Sequence, residues 1–166
     1  MQGQVPRKIG RGMWILTWVI LLGLLYVYFD QYLADRHNPN RHLNANGHGE
    51  VVLQRNRAGH YIAPGTINGV AVRFLLDTGA TSVSIPQQVA ERIGLKRGTR
   101  YQVRTASGTA DVYTTELDHI ELGGISLDNI RAHINPHMAG DTVLLGMSFM
   151  QHLELVQKGD TLTLRY

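Results

Sequence analysis

Apolar and polar positions divide the chain into two regimes. From Met13 to Phe29 the sequence reads MWILTWVILLGLLYVYF, an apolar run interrupted only by Thr17 and Gly23. Beyond residue 50 the pattern changes to short apolar runs that stop at Gly, Pro, Asn or Asp. The first regime predicts one helix, the second the many short strands of a barrel or sandwich. Strands are expected from Glu50 to Gln54, His60 to Ile67, Val70 to Leu76 and Val83 to Ile85. Asn68-Gly69, between two of these runs, is the strongest short-range hairpin signal. Pro86 suits a first helical turn, Val89 and Ile93 repeat at i and i+4, and Gly94 stops that helix. Tyr101 to Ala106 and Ala110 to Leu117 predict a hairpin around Ser107-Gly108. Ile120 and Leu122 alternate before a Gly123-Gly124 turn, and Ile125, Leu127 and Ile130 follow it. Val143-Leu144-Leu145 is a wholly apolar strand, with one or two helical turns expected from Met147 to His152. Leu153 to Val156 and Thr161 to Tyr166 close the chain around a Lys158-Gly159-Asp160 turn.

The N-terminal run reads as a membrane anchor. As a helix, 17 residues span about 25 Å, a little less than a typical hydrocarbon core. Trp14 and Trp18 lie toward one end and Tyr26, Tyr28 and Tyr32 toward the other, where interfacial aromatics belong. Arg7, Lys8 and Arg11 precede the run and Asp30 follows it, so the positive-inside rule puts residues 1–12 in the cytoplasm. The expected organisation is a cytoplasmic segment 1–12, an anchor 13–29, a linker 30–49 and a folded domain 50–166. A cleaved signal peptide is the rival reading, and Leu33-Ala34-Asp35 is a poor cleavage site for it. A buried soluble helix is a third, far more apolar than anything else in the chain. Residues 31–49 are polar, rich in Asn, His and Gly and without apolar period, as a flexible linker is. Its His37, His42 and His48 lack the supporting partners a metal site needs.

Composition narrows the chemistry. The 166 residues include no cysteine, which excludes disulfides, thiol nucleophiles and thiolate metal sites. The formal charge of +3 is concentrated early: residues 1–60 hold seven basic and three acidic groups, residues 61–166 nine and ten. The domain therefore carries no nucleic-acid signature. His133 and His137 stand four apart, but Pro136 between them spoils a helical metal pair. Gly146-Met147-Ser148-Phe149-Met150 misses the nucleophile elbow at its last position. No metal or organic cofactor is expected.

The informative stretch is Phe74-Leu75-Leu76-Asp77-Thr78-Gly79-Ala80. An apolar strand delivers an acid directly into a turn, where a carboxylate is expensive to bury unless paired or hydrogen-bonded. A second apolar-apolar-Gly unit, Leu144-Leu145-Gly146, follows later in the chain. Asp77-Thr78-Gly79-Ala80, continued by Thr81-Ser82-Val83, resembles the active-site loop of aspartic proteases of the retropepsin type. Leu144 to Met150 resembles their second signature, a strand-Gly-short-helix unit packed beneath the catalytic loop. The resemblance runs from about Gly59 to Tyr166 and is closest to bacterial, membrane-anchored, single-domain members.

That resemblance implies an all-β, retropepsin-like closed barrel with one or two short helices, preceded by a single transmembrane helix. It implies an aspartic endopeptidase with Asp77 catalytic, in which two carboxylates share a proton and activate a water. Asp141-Thr142-Val143 and Asp160-Thr161-Leu162 both lack the motif's glycine, so one chain holds half a site and a homodimer is implied. Thr78 would then hydrogen-bond across the twofold axis, and Gly79 would offer its N–H to the carboxylate. Ala106, Ser107, Gly108 and Thr109 would form the tip of a flap over a peptide bound as an added strand. Thr161 to Tyr166 would interleave with a partner's terminal strands. Together with the charge asymmetry, the resemblance places the protein in a bacterial inner membrane with its protease domain in the periplasm. A catalytically dormant dimerisation or peptide-binding module on the same fold remains the alternative.

Overall fold

The computed structural model describes residues 7–43, 49–105 and 108–166, with side chains described from residue 12 onward. It divides into two units, Met1–His37 and Asn38–Tyr166. The first is a single helix, α1 (Arg7–His37). Every large apolar side chain from Met13 to Phe29 is exposed. The stretch Gly12–His37 is long and apolar enough to cross a membrane. Trp14 and Trp18 meet edge to face at 5.9 Å, and Tyr28 stacks on Tyr32 at 6.2 Å. The helix outruns the predicted span and ends where Asn38-Pro39 begins, because the residue before proline disfavours helical geometry.

The expected linker over 30–49 is therefore corrected over most of its described length. Residues up to His37 are helical, and Asn38 and Asn40 are buried in the folded domain. Asn40 Nδ2 donates to the carbonyls of Gln54 and Ile62 at 2.9 and 2.7 Å, and its Oδ1 accepts the Gln54 N–H at 2.7 Å. One amide side chain thus supplies the pairing of a missing strand segment. Composition conceals this, since Asn is common in linkers and equally suited to satisfying buried backbone. Leu43 packs against the core, and residues 44–48 lie outside the described residues.

The domain begins with β1 (Glu50–Gln54), β2 (Tyr61–Ile67), β3 (Val70–Leu76), β4 (Val83–Pro86) and α2 (Gln87–Ile93). It continues with β5 (Arg100–Thr105), β6 (Gly108–Leu122), β7 (Ile125–Asn135), β8 (Thr142–Leu145), α3 (Met147–Met150), β9 (Glu154–Lys158) and β10 (Thr161–Arg165). Six strands in the order β2-β3-β8-β4-β7-β6 form a barrel, closed by β6 pairing with β2 at Thr66↔Glu121 and Ile67↔Ile120. The all-β, closed-barrel expectation with short helices is met. Asn68-Gly69 makes the β2–β3 turn with φ of 49° and 78°, the left-handed pair that such hairpins require. Inward positions fill the barrel with Phe74, Ile85, Leu117, Ile134 and Leu145, all fully buried, and Phe149 of α3 joins them.

Two departures have local causes. The predicted break after Leu117 is bridged, so β6 runs on to Leu122. Asn68 spans the weak point: its N–H donates to the His119 carbonyl at 2.8 Å, and its Oδ1 accepts the His119 N–H at 3.0 Å. Second, β10 is the middle strand of a separate sheet, β1-β10-β9. Both its edges are paired within one chain, Leu162 to Leu53 and to Gln157. That arrangement leaves 161–165 no free edge to interleave with a second chain, and the expectation for this strand is corrected.

Replacing Asn40 with Ala removes three hydrogen bonds at a buried position, and is expected to lower stability by about 3 kcal/mol. Thermal and urea unfolding of the full chain in detergent micelles, followed by circular dichroism, checks this. The urea dependence should keep its slope while its midpoint falls.

Candidate active site

The site is assembled by a parallel strand pair. β3 and β8 run side by side in the register Phe74↔Val143, Leu75↔Leu144, Leu76↔Leu145. Parallel strands end at the same edge, so the loop after Leu76 and the loop after Leu145 emerge together. The Asp77 N–H extends the ladder by one bond, to the Leu145 carbonyl at 3.2 Å.

The Asp77 loop is a tight turn closed by Ala80 N–H donating to the Asp77 carbonyl at 3.2 Å. Inside it, Gly79 N–H donates to Asp77 Oδ1 at 2.9 Å, which fixes the carboxylate's orientation. The loop rests on the start of α3. Met147 N–H donates to the Ala80 carbonyl at 2.8 Å and Ser148 N–H to the Thr81 carbonyl at 3.0 Å. Donors at a helix start have no partners within the helix, so loop and helix satisfy each other. Ser148 Oγ accepts the Val83 N–H at 3.0 Å and donates to the Arg131 carbonyl at 2.8 Å, tying the loop's exit to β7. Gly146 makes the approach possible. A Cβ there would lie 2.4 Å from the Ser82 carbonyl oxygen and 2.7 Å from that of Ala80.

Asp77 is half-buried, Thr78 and Gly79 are exposed, and Ala80 is half-buried. Asp77, Gly79 and Ala80 line a cleft of about 770 Å³, and Leu144 lies in its wall. Leu145 and Gly146 are buried behind it. The cleft wall is a row across three strands, since Leu144 registers with Ser84 and Ser84 with His133. The facing side is β5, whose alternate residues Tyr101, Val103 and Thr105 line the same cleft. Among the described residues β5 pairs only with β6, in a hairpin running from Arg100↔Tyr113 to Thr105↔Gly108. The Arg100 guanidinium bonds Asp111 at 2.5 Å and holds that carboxyl below its usual range. Of the expected flap tip, Gly108 and Thr109 open β6 and are exposed, while Ala106 and Ser107 lie outside the described residues.

Sequence reasoning missed the roles of Ser148, Tyr101 and His133. Ser148 carried a signal, a small hydroxyl at a helix start. His133 carries no local signal of its place beyond its spacing from His137. It is buried within the cleft wall, and Tyr101 Oη lies 3.3 Å from its Nδ1. Burial pushes the His133 imidazole below its ordinary 6.5 and pushes the Tyr101 phenol up. Asp141 and Asp160, the two other Asp-Thr positions, are engaged by Arg73 and Arg55 on the surface, away from the cleft lining.

Residues 63–152 match the family model described as gag-polyprotein putative aspartyl protease. An uncharacterised Sinorhizobium protein encoded in the cobV 5′ region is 36% identical over 126 residues, covering 74% of this chain and 54% of that protein. The uncharacterised protein RP867 of Rickettsia prowazekii is 27% identical over 109 residues, covering 64% of this chain and 46% of that one. The chain thus spans about half the length of the curated relatives it matches. Among solved structures, the crystal structure of a retropepsin-like aspartic protease from Rickettsia conorii superposes with a TM-score of 0.59 at 27% identity. It covers 71% of this chain and 90% of that one.

Two outcomes follow from this geometry. Gly146→Ala forces the Asp77 loop off α3 and is expected to cost about 3 kcal/mol, read by thermal unfolding of the full chain. His133 titrates lower in the folded state than in the unfolded chain, so the unfolded state takes up its proton first on acidification. Its contribution to stability is fully present above about pH 6.5 and is lost as pH falls through the lowered folded value. Unfolding midpoints at pH 7.5 and 5.0 should fall less in His133→Gln than in the wild type.

Proposed function

The chain belongs to the retropepsin-like family of aspartic proteases, and from that premise we propose that it is a membrane-anchored endopeptidase whose Asp77 works as half of a dyad. The observation that carries this reading is the seating of Asp77. Its carboxylate is fixed by Gly79 N–H at the wall of an open cleft, on a loop held by the Gly146 unit.

A single carboxylate cannot do the chemistry. Peptide hydrolysis by this route needs one carboxylate to take a proton from water and one carboxylic acid to protonate the substrate carbonyl. Like charges held close share one proton, which supplies both forms. Water then adds to the carbonyl carbon. A proton passes to the amide nitrogen, and the C–N bond breaks to release an acid and an amine. Among the described residues, Asp77 is the only acid lining the cleft, so the second carboxylate comes from Asp77 of another copy. Thr78, exposed beside it, is the group that reaches across the twofold axis. The β5–β6 hairpin serves as the flap, and the substrate lies extended beneath it. α1 acts as the anchor, with residue 1 on the cytoplasmic side and the protease domain in the periplasm. Confinement to a membrane raises the local concentration of chains and favours a weak dimer.

Asp77→Asn keeps the side chain's shape and removes its proton chemistry. In the full chain in detergent micelles, cleavage of a fluorogenic peptide pool should fall about 1,000-fold or more, with unfolding behaviour retained. Wild-type activity per chain should also fall on dilution, as a dimer dissociates. Cleavage undiminished in Asp77→Asn overturns the reading.

A further inference from the structure

The small sheet β1-β10-β9 has two unlike edges. At one, the Asn40 side chain bonds the N–H and carbonyl of Gln54 in β1. At the other, β9 pairs with β10 alone among the described residues. Hydrogen bonds at the two ends of β10 determine which groups that second edge presents. Arg55 N–H donates to the Asp160 carbonyl and Tyr166 N–H to the Gly49 carbonyl, each at 2.8 Å, so the even-numbered residues of β10 bond toward β1. Bonding alternates along an antiparallel strand, so Thr161, Thr163 and Arg165 bond toward β9, where they register with Lys158, Val156 and Glu154. The backbone N–H and C=O groups of Leu155 and Gln157 therefore point outward from the edge.

The side chains along this edge are complementary to themselves. Leu155 packs against the core, so Glu154, Val156 and Lys158 share the opposite face of the strand. All three are exposed, Val156 by 41%. An acid and a base thus stand two residues either side of an exposed valine.

We propose that β9 is the contact between two copies of the chain, paired antiparallel about a twofold axis through Val156. In this register Leu155 and Gln157 exchange backbone hydrogen bonds with the second copy's Gln157 and Leu155. Val156 meets its own symmetry mate in a non-hydrogen-bonded pair, where opposed side chains come closest. Each Glu154 faces a Lys158. The neighbouring registers that keep Leu155 and Gln157 at bonding positions lose that match. Centring the axis on Gln157 sets Glu154 against Asp160, and centring it on Leu155 sets Glu154 against Val156 and Lys158 against His152. The pairing joins two three-stranded sheets into one of six strands. It also ties the contact to the acid-bearing loop, because that loop rests on α3 and only residues 151–153 separate α3 from β9. One five-residue edge makes a weak dimer, which confinement to a membrane strengthens. The inference rests on the protease reading only in taking the occupant of this edge to be a second copy, and its test reads assembly, not cleavage.

The chain has no cysteine, so single introduced cysteines report the register cleanly. In the full-length Asp77→Asn chain in detergent micelles, Val156→Cys should give a disulfide-linked dimer on mild oxidation. Leu155→Cys and Gln157→Cys should each give about tenfold less, because positions that do not face themselves lie beyond the roughly 7 Å a disulfide can bridge. Glu154→Lys and Lys158→Glu each set like charges opposite one another, and each alone should weaken the dimer about tenfold in analytical ultracentrifugation. Mixed in equal amounts, these two variants restore both opposite-charge pairs and should regain the wild-type dimer, a recovery that only folded chains can make. A Val156→Cys crosslink together with no peptide cleavage by the wild type upholds the contact and refutes the protease. Cleavage together with crosslinking no stronger at position 156 than at 155 and 157 overturns the contact and spares the protease. A chain that stays monomeric at every concentration, or charge variants that associate as the wild type does, overturns the contact.

Discussion

Everything that positions Asp77 depends on one exchange of backbone hydrogen bonds. A turn that projects a carboxylate from a strand end leaves its own carbonyls facing the protein, where they need donors. A helix start has donors with no carbonyls to meet. Here the carbonyls of Ala80 and Thr81 meet the N–H groups of Met147 and Ser148. The two segments can approach this closely only because position 146 has no side chain. The pairing is mutual: neither the loop nor the four-residue helix α3 has enough internal bonding to hold its shape alone.

The barrel's topology makes that exchange possible. β3 and β8 are distant in sequence, and their parallel pairing brings both loops to one edge. β4 lies antiparallel to β8 and parallel to β7, so a single register line crosses from Leu144 through Ser84 to His133. The wall of the cleft is thus set by strand register, and a slip of one residue would turn this row toward the core. The opposite side has no such constraint. Among the described residues β5 is bonded to another strand along one edge only.

Much of this was legible in the sequence because it is local. The Asn68-Gly69 turn, the Gly94 stop and the apolar strand before Asp77 each declare themselves within a few residues. The Leu144-Leu145-Gly146 unit was legible only through family resemblance, since nothing local says what an apolar-apolar-Gly unit packs under. What stayed hidden is long-range satisfaction of polar groups. Asn40 looks like a linker residue until Gln54 and Ile62 are brought to it. His133 looks like a stray histidine until Tyr101 arrives from a strand 32 residues away. The placement of β10 in the middle of its sheet was illegible for a similar reason, because strand order within a sheet leaves no local trace.

The same accounting of donors and acceptors bears on the proposed sharing of a proton between Asp77 and a second carboxylate. Asp77 Oδ1 is held by Gly79 N–H, and no donor among the described residues engages Oδ2. A carboxylate intended only to stabilise a turn would be satisfied by that turn, as the Asn56 side chain is by the N–H groups of Ala58 and His60. Asp77 is instead rigid on one oxygen and available on the other, beside an exposed Thr78. A group that must share a proton with a second carboxylate needs this combination. Orientation comes from its own chain, and in the proposed dyad the remaining oxygen is the one that would share a proton with a second carboxylate.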